Sequence, residues 1–391
     1  MPWPFSPKSG AVLSGDMAES SASPHTRFAF RLFRELTRED ETANVFFSPS
    51  SVMLCLALVH ELATGETRHS MAKALEIADL DHVGIETELT TMKSAFSARP
   101  DAEVSFANAL FLGRRAELAS ALQQQLRAQY DAELNTLDFS SPNAIATINA
   151  WVNTKTKGKI PQIVRQLSPL SALVALNAVY FKCRWLDPFR KELTRERPFH
   201  AGSGTIKQVP MMQQGGRYKY YEDSNVQVAT LPYRGNMSMC IGLPSENGDA
   251  KRFRHNLNSR LWESWVAKSK SMPGTIQLPR FRVDFDAELN RALMAMGMER
   301  AFDQDRAEFE HVKTDLPPVW LDRVVHRAVA EVNEEGTEAA AATIAHMTLG
   351  AVMHQKPPKQ FHMVVDHPFA ALILDESTKA ILFMGWIGDP Q

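Results

Sequence analysis

The sequence predicts an α+β fold built as one unit. Three observations carry that expectation. Helical apolar spacing dominates the first half, strand-like apolar runs dominate the second, and neither a linker nor an internal repeat separates them. A length of 391 residues would by itself suggest two or three domains, but nothing in the chain marks a boundary.

Residues 1–22, rich in Pro, Ser and Gly and without a continuous apolar run, read as a flexible tail that lacks a secretory signal; residues 23–391 read as the single domain. A helix is expected from about His25, where Phe28, Phe30, Leu32 and Phe33 open an apolar face. Ser48-Pro49 is a good helix start, ahead of the strongly apolar residues 50–63. Helical spacing returns at 67–75, 118–130 and 142–156, with a strand at 104–112 between them. The run at 171–181, SALVALNAVYF, is apolar on both faces, as a strand in the middle of a covered sheet must be. Residues 226–233 and 237–243 flank Arg234-Gly235-Asn236 and make a hairpin. Residues 274–285 alternate as one strand, followed by a helix over 287–296 that ends at Gly297. Two further apolar strands, 369–374 and 380–386, are joined by the polar turn 375–379.

Composition narrows the function classes. With 44% hydrophobic and 23% charged residues and a formal net charge of −2, nothing attracts the chain to nucleic acid or an anionic membrane. No apolar run is long enough to span a bilayer. Cys55, Cys183 and Cys240 lie far apart beside apolar runs and read as buried, inert thiols. The expected location is cytoplasmic, from the missing signal, with an extracellular one left open. Asn236-Met-Ser238 is read as a chance sequon.

Motifs for catalysis fail one by one. His60-Glu61 would need a second histidine at 64, which is Thr64. Ser70-Met-Ala-Lys73 matches SxxK without the companion SDN or KTG, so a serine hydrolase using Ser70 and Lys73 is the weakest alternative. There is no GxSxG, and Gly158-Lys159 is followed by Ile160 where a phosphate loop needs Ser or Thr. Neither an enzyme nor a metal or other cofactor is expected.

The informative stretch is 331–360, EVNEEGTEAAAATIAHMTLGAVMHQKPPKQ. Propensity alone makes residues 337–345 a short helix with Thr337 as its cap, or a mobile linker. A second period is also present. Positions 337, 339, 341, 343, 345 and 347 are Thr, Ala, Ala, Thr, Ala and Met, small and uncharged, while Glu338, Ile344, His346 and Thr348 alternate with them. Such a strand could bury its first face without stranding a charge, and no proline blocks a ladder before Pro357-Pro358. One segment suits both a loop and a central strand.

Glu334-Glu-Gly-Thr-Glu-Ala-Ala-Ala-Ala-Thr343 resembles the hinge signature of inhibitory serpins, and the likeness runs from about residue 25 to the end. Asn44-Val-Phe-Phe-Ser-Pro-Ser-Ser51 resembles the family's NxFFSPxS, Asn108-Ala-Leu-Phe111 its ANxLF, and Ile148-Asn-Ala-Trp151 with Thr156-Lys-Gly-Lys-Ile160 its INxWV…TxGKI. Asn177-Ala-Val-Tyr-Phe-Lys182 with Trp185 and Phe189, Asp366-His-Pro-Phe369 and Leu382-Phe-Met-Gly385 resemble three more of its motifs. The chain departs from the pattern at Cys183, where Gly is usual, at Glu61-Leu62 for Leu-Gly, and at Phe309-Glu-His-Val312 for FSGI.

The resemblance implies a serpin fold, with three β-sheets, eight or nine helices and an exposed reactive-centre loop at about 334–360. It implies a suicide inhibitor: a protease cuts the loop, the hinge side enters the large sheet as a new strand, and the acyl-linked protease is trapped. The hinge is Glu334, Gly336, Thr337, Glu338, Ala339, Ala340, Ala341, Ala342 and Thr343. Ser48, Ser51, Asn177 and His326 correspond to the polar cluster under the opening of that sheet, and Trp185 to the tryptophan where the loop first enters. Arg280 is expected to meet Glu334 at the base of the loop as an exposed pair contributing about 0–1 kcal/mol. Family spacing selects Gly350-Ala351 as the reactive bond, with Leu349 and Met353 as chemically better anchors. No Arg or Lys lies between Glu338 and Gln355, which favours an elastase-, chymotrypsin- or subtilisin-like serine protease and leaves a papain-like cysteine protease open. A monomer is expected. The alternative within the fold is a non-inhibitory carrier, chaperone or storage protein.

Overall fold

The strand at the middle of the sequence organises the molecule. The computed structural model describes residues 22–38, 42–96, 101–130, 133–245, 249–314, 319–336 and 359–390. Leu173–Cys183 is the central strand of a five-stranded sheet whose order is Phe281–Glu288, Leu321–Val332, Leu173–Cys183, Ala102–Gly113 and Glu133–Leu137. It is buried at every position but Lys182 because both faces are covered. Ala175, Val179 and Phe181 join the main core, to which helix Pro49–Leu62 contributes. Leu176, Ala178 and Tyr180 face the other way, onto Ile148 and Val152 of helix Ala144–Lys155. Helix Pro49–Leu62 starts where Ser48 caps it, the serine side chain accepting from the Ser51 N–H, and proline fills its first position.

A second sheet of nine strands runs Val45–Phe47, Ile381–Ile387, Phe369–Asp375, Met237–Pro244, Val226–Pro232, Ile206–Glu222, Lys270–Pro279 and Phe361–Val364, with Arg195–His200 also paired to Ile206–Glu222. Strands Val312–Thr314 and Ala116–Leu118 form the third sheet. Eight helices of seven residues or more lie among the described residues.

Two expectations are corrected. The segment 274–285 is two strands, Lys270–Pro279 and Phe281–Glu288, in different sheets. The Arg280 N–H still bonds the first sheet, donating to the Pro210 carbonyl of Ile206–Glu222 at 2.9 Å, and from Phe281 onward the chain pairs with Leu321–Val332 of the other. The helix placed at 287–296 also shifts. Ala287 and Glu288 remain in the strand, and a helical turn at Asn290–Leu293 passes through a π-turn into helix Glu299–Phe302. Gly297, at φ +105°, is the kink inside this run and not its end.

Candidate functional site

Strands Leu173–Cys183 and Leu321–Val332 lie side by side in parallel, from Leu321 opposite Leu173 to Ala330 opposite Phe181. Each has an antiparallel neighbour on its outer side. Their shared ladder is therefore a parallel seam flanked on both sides by antiparallel pairs, with a second parallel pair only at the edge, between Ala102–Gly113 and Glu133–Leu137, and parallel pairing is slightly weaker per residue.

Beneath the middle of this seam lies a sealed polar cluster. Ser48, Ser51, Asn177 and His326 are all 0% exposed. The Asn177 amide nitrogen donates to Ser51 Oγ at 2.5 Å and to the Ser51 carbonyl at 3.2 Å. The His326 Nδ1 lies 2.5 Å from Asn177 Oδ1, which has no proton, so Nδ1 donates. On the other side of the ring, the Ser48 N–H donates to His326 Nε2 at 3.2 Å. Accepting at Nε2 while donating at Nδ1 needs the neutral imidazole, and burial pushes its pKa down to about 3. The Asn177 amide also reaches Asn108 Oδ1 on the neighbouring strand. Asn108 is 4% exposed and was missed as a member of the cluster. It lies within a motif already singled out, but its place becomes readable only when strand pairing puts it opposite Asn177.

At the upper end of the seam the chain leaves Val332 and reverses. The Asn333 N–H donates to the Gly336 carbonyl at 2.8 Å, and the Gly336 N–H returns to the Asn333 carbonyl at 3.2 Å. The carbonyls of Glu334 and Glu335 accept from the N–H groups of Phe189 at 2.8 Å and Trp185 at 3.1 Å. Trp185, 1% exposed, stacks on Tyr233 with ring centroids 4.1 Å apart, and its indole N–H donates to the Asn333 carbonyl at 2.9 Å. Gly336 sits at φ +123°, and a Cβ there would lie 2.2 Å from the Cys183 carbonyl oxygen. Only glycine fits so close to that backbone.

Glu334 and Arg280 meet directly. Arg280 Nε donates to both carboxylate oxygens, at 2.9 and 2.7 Å, and Nη2 adds a third bond at 2.5 Å; Thr194 Oγ1 donates at 2.5 Å. The pair is not the exposed one expected from sequence, because the Glu334 side chain is only 3% exposed while Arg280 is 44% exposed. Burial pushes the Glu334 carboxyl up, but the hydrogen bonds from Arg280 and Thr194 outweigh it and hold the group below the usual carboxylate range.

Of the expected hinge, Glu334 and Gly336 are placed, whereas Thr337, Glu338, Ala339, Ala340, Ala341, Ala342 and Thr343 lie outside the described residues. So do Leu349, Gly350, Ala351 and Met353 of the expected bond region. The Ser70 hydroxyl donates to the Thr67 carbonyl within its own helix at 2.9 Å, and Lys73 is exposed. Cys55, Cys183 and Cys240 are buried without a disulfide, and burial pushes the Cys55 and Cys240 thiols up to about 12. The departures at Glu310 and His311 are on the surface between buried Phe309 and Val312.

Comparison with known proteins agrees with this architecture. Residues 23–390 match the family described as serpin, serine protease inhibitor. An uncharacterized serpin-like protein of Thermococcus kodakarensis is 37% identical, over 93% of this chain and 84% of its own. The leukocyte elastase inhibitor of Bos taurus is 32% identical, over 95% of this chain and 100% of its own. Among solved structures, the native thermophilic serpin Tengpin superposes with a TM-score of 0.85 at 25% identity, covering 95% of this chain and 96% of that one. Human thyroxine-binding globulin complexed with thyroxine gives 0.84 at 28% identity, covering 94% and 98%. The three-sheet architecture, the polar cluster under a parallel seam and the likeness across nearly the whole chain thus have one common account: the chain belongs to the serpin family.

Proposed function

We propose that this serpin inhibits serine proteases as a suicide substrate, its cut loop entering the five-stranded sheet at the parallel seam. The observation that carries the reading is Gly336, which bridges Arg184 on one side and Asn333 on the other, both antiparallel. Those two residues head the two strands of the seam, so Gly336 is the first rung of a strand between them.

The register extends by simple counting, each step forward from 336 matching a step back from 333 and from 184. Residue 337 would face Val332 and Cys183, 339 Ala330 and Phe181, 341 Ala328 and Val179, and 343 His326 and Asn177. Apart from His326 and Asn177, these partners all belong to the main core. The small set Thr337, Ala339, Ala341 and Thr343 is thus the set directed inward, and the Thr343 hydroxyl would arrive at the His326–Asn177 cluster, where a polar group has partners. Leu321 lies twelve residues before Asn333, so the ladder has room for residues 337–348. A bond cut beyond 348 frees a strand long enough to fill it, which supports Gly350-Ala351, with Leu349 and Met353 as neighbouring anchors.

With no Arg or Lys from 339 to 354, the target has an apolar or small-residue specificity pocket. The test is incubation with elastase-, chymotrypsin-, subtilisin- and papain-like proteases, followed by denaturing electrophoresis and sequencing of the released C-terminal peptide. A covalent complex with a serine protease, released peptide starting at or near Ala351, is the expected result. Clean loop cleavage with free active protease in every case would overturn inhibition in favour of a carrier or storage role.

A further inference from the structure

The register that starts at Gly336 runs to the far end of the seam. Counting back from Arg184 and Asn333, residue 348 reaches Ala172 and Leu321, and residue 349 reaches Ser171 and Trp320; an irregularity between Leu321 and Arg323 shifts one side by a single residue. There the two strands of the seam begin, and a cavity of about 760 Å3 opens between the residues that lead into them and the turn after strand Ala102–Gly113. Ala116, Phe139, Leu170, Ala172, Val319 and Trp320 line it. Ala116 and Val319 belong to the main core and Ala172 packs against it, so the cavity reaches the inward side of the seam.

Side-chain size along the loop matches this placement. Alternation puts 345, 347 and 349 on the same face as Thr337, Ala339, Ala341 and Thr343. Up to Ala345 every inward side chain is small, and these positions run past core residues such as Phe181 and Val179, both sealed, where a larger one would overpack. The bulky inward residues, Met347 and Leu349, come only where the cavity begins. Polar groups at the rim are already engaged: Arg114 pairs with Asp138 at 3.5 Å, the Ser140 hydroxyl donates to the same carboxylate at 2.6 Å, and the Ser171 hydroxyl donates to Asp322 at 2.7 Å. Leu170 is 77% exposed. The surface that needs covering is therefore apolar.

We propose that this cavity is the seat of the Leu349 side chain once the loop is cut, making Leu349 a positioning residue that anchors the inserted strand at the end away from Gly336; this rests on the insertion reading above. Leu349 stands one position beyond the ladder, where a strand end without a packed side chain frays. Burial against Ala116, Val319 and Trp320 holds that end against withdrawal. The inward face thus divides two roles: its small residues let the strand enter, and Leu349 keeps it in.

The test anneals acetylated peptides to the intact, uncleaved protein and follows their release on dilution by native electrophoresis. The peptides carry residues 337–348, residues 337–349, and residues 337–349 with Leu349→Ser or Leu349→Met. The 337–349 peptide should leave about tenfold more slowly than 337–348 or the Leu349→Ser form, and Leu349→Met should restore most of the difference. Tryptophan emission should move to shorter wavelength only with the peptides that carry Leu349 or Met at that position, and Trp320→Phe should abolish the shift. Filling the cavity with Ala172→Leu should bring release of 337–349 to the rate of 337–348. Equal release of all four peptides, an emission unchanged by Leu349, or an advantage of 337–349 that survives Ala172→Leu overturns the seat while leaving insertion intact. A wild type that anneals no peptide overturns both.

Discussion

Replacing Arg280 with alanine tests the Arg280–Glu334 pair at the base of the loop. The change removes three hydrogen bonds, at 2.9, 2.7 and 2.5 Å, from a carboxylate whose side chain is 3% exposed, and leaves it the Thr194 hydroxyl. Breaking a buried ion pair from one side costs about 3–5 kcal/mol, because the remaining charge is stranded. Here Arg280 is 44% exposed, so water can enter the space it leaves and the cost falls to about 2–3 kcal/mol. A native state held by a kinetic barrier is best assayed through its unfolding rate, read from the fluorescence of Trp185 and the other tryptophans after a denaturant jump. About 2 kcal/mol lost from native contacts absent in the transition state corresponds to roughly 30-fold faster unfolding. The double variant Arg280→Ala/Glu334→Gln, with no charge to strand, should recover most of that loss. An Arg280→Ala rate within about threefold of wild type would refute the reasoning, and a double variant as fast as the single one would show that packing, not charge, is at issue.

Three further outcomes are expected. Thr337→Arg places a charge where the register directs it onto Val332 and Cys183, both buried; it should give cleaved inhibitor and free protease where wild type gives a covalent complex, and equal trapping by the variant would remove 337 from the hinge. Cutting the loop between residues 348 and 353 should raise the unfolding temperature sharply, since the new strand fills the seam; an unchanged temperature counts against insertion. Stability should also depend on His326: its folded pKa near 3 lies below the ordinary 6.5, so the unfolded chain takes up the proton first. The contribution is complete above about pH 6.5 and declines as pH falls toward 3, by about 2 kcal/mol at pH 5, and His326→Gln should flatten that slope.

Features written in neighbouring residues were legible without coordinates. The two-faced apolar run at Leu173–Cys183, the cap at Ser48-Pro49, the hairpin around Gly235 and the alternation of small residues from Thr337 onward all depend on local periodicity and turn chemistry. Family motifs added the hinge and the four polar residues beneath the seam. The single strand expected over 274–285 failed because one period of two describes a strand without naming its sheet, and Arg280 at the corner belongs to neither.

The sequence by itself determined that Leu173–Cys183 is a strand covered on both faces and that residues 337–347 could line a buried face, because side-chain period and size are properties of the chain alone. Tertiary structure decided which groups meet: Asn108 with Asn177, Ser48 with His326, the Gln162 carbonyl with Arg327, and a buried Glu334 with a half-exposed Arg280. It also decided that Gly336 lies between the heads of two parallel strands. These contacts join residues from 54 to 278 positions apart, and no local pattern encodes a partner at that distance. Whether a carboxylate is an exposed surface charge or a buried one depends on what folds over it.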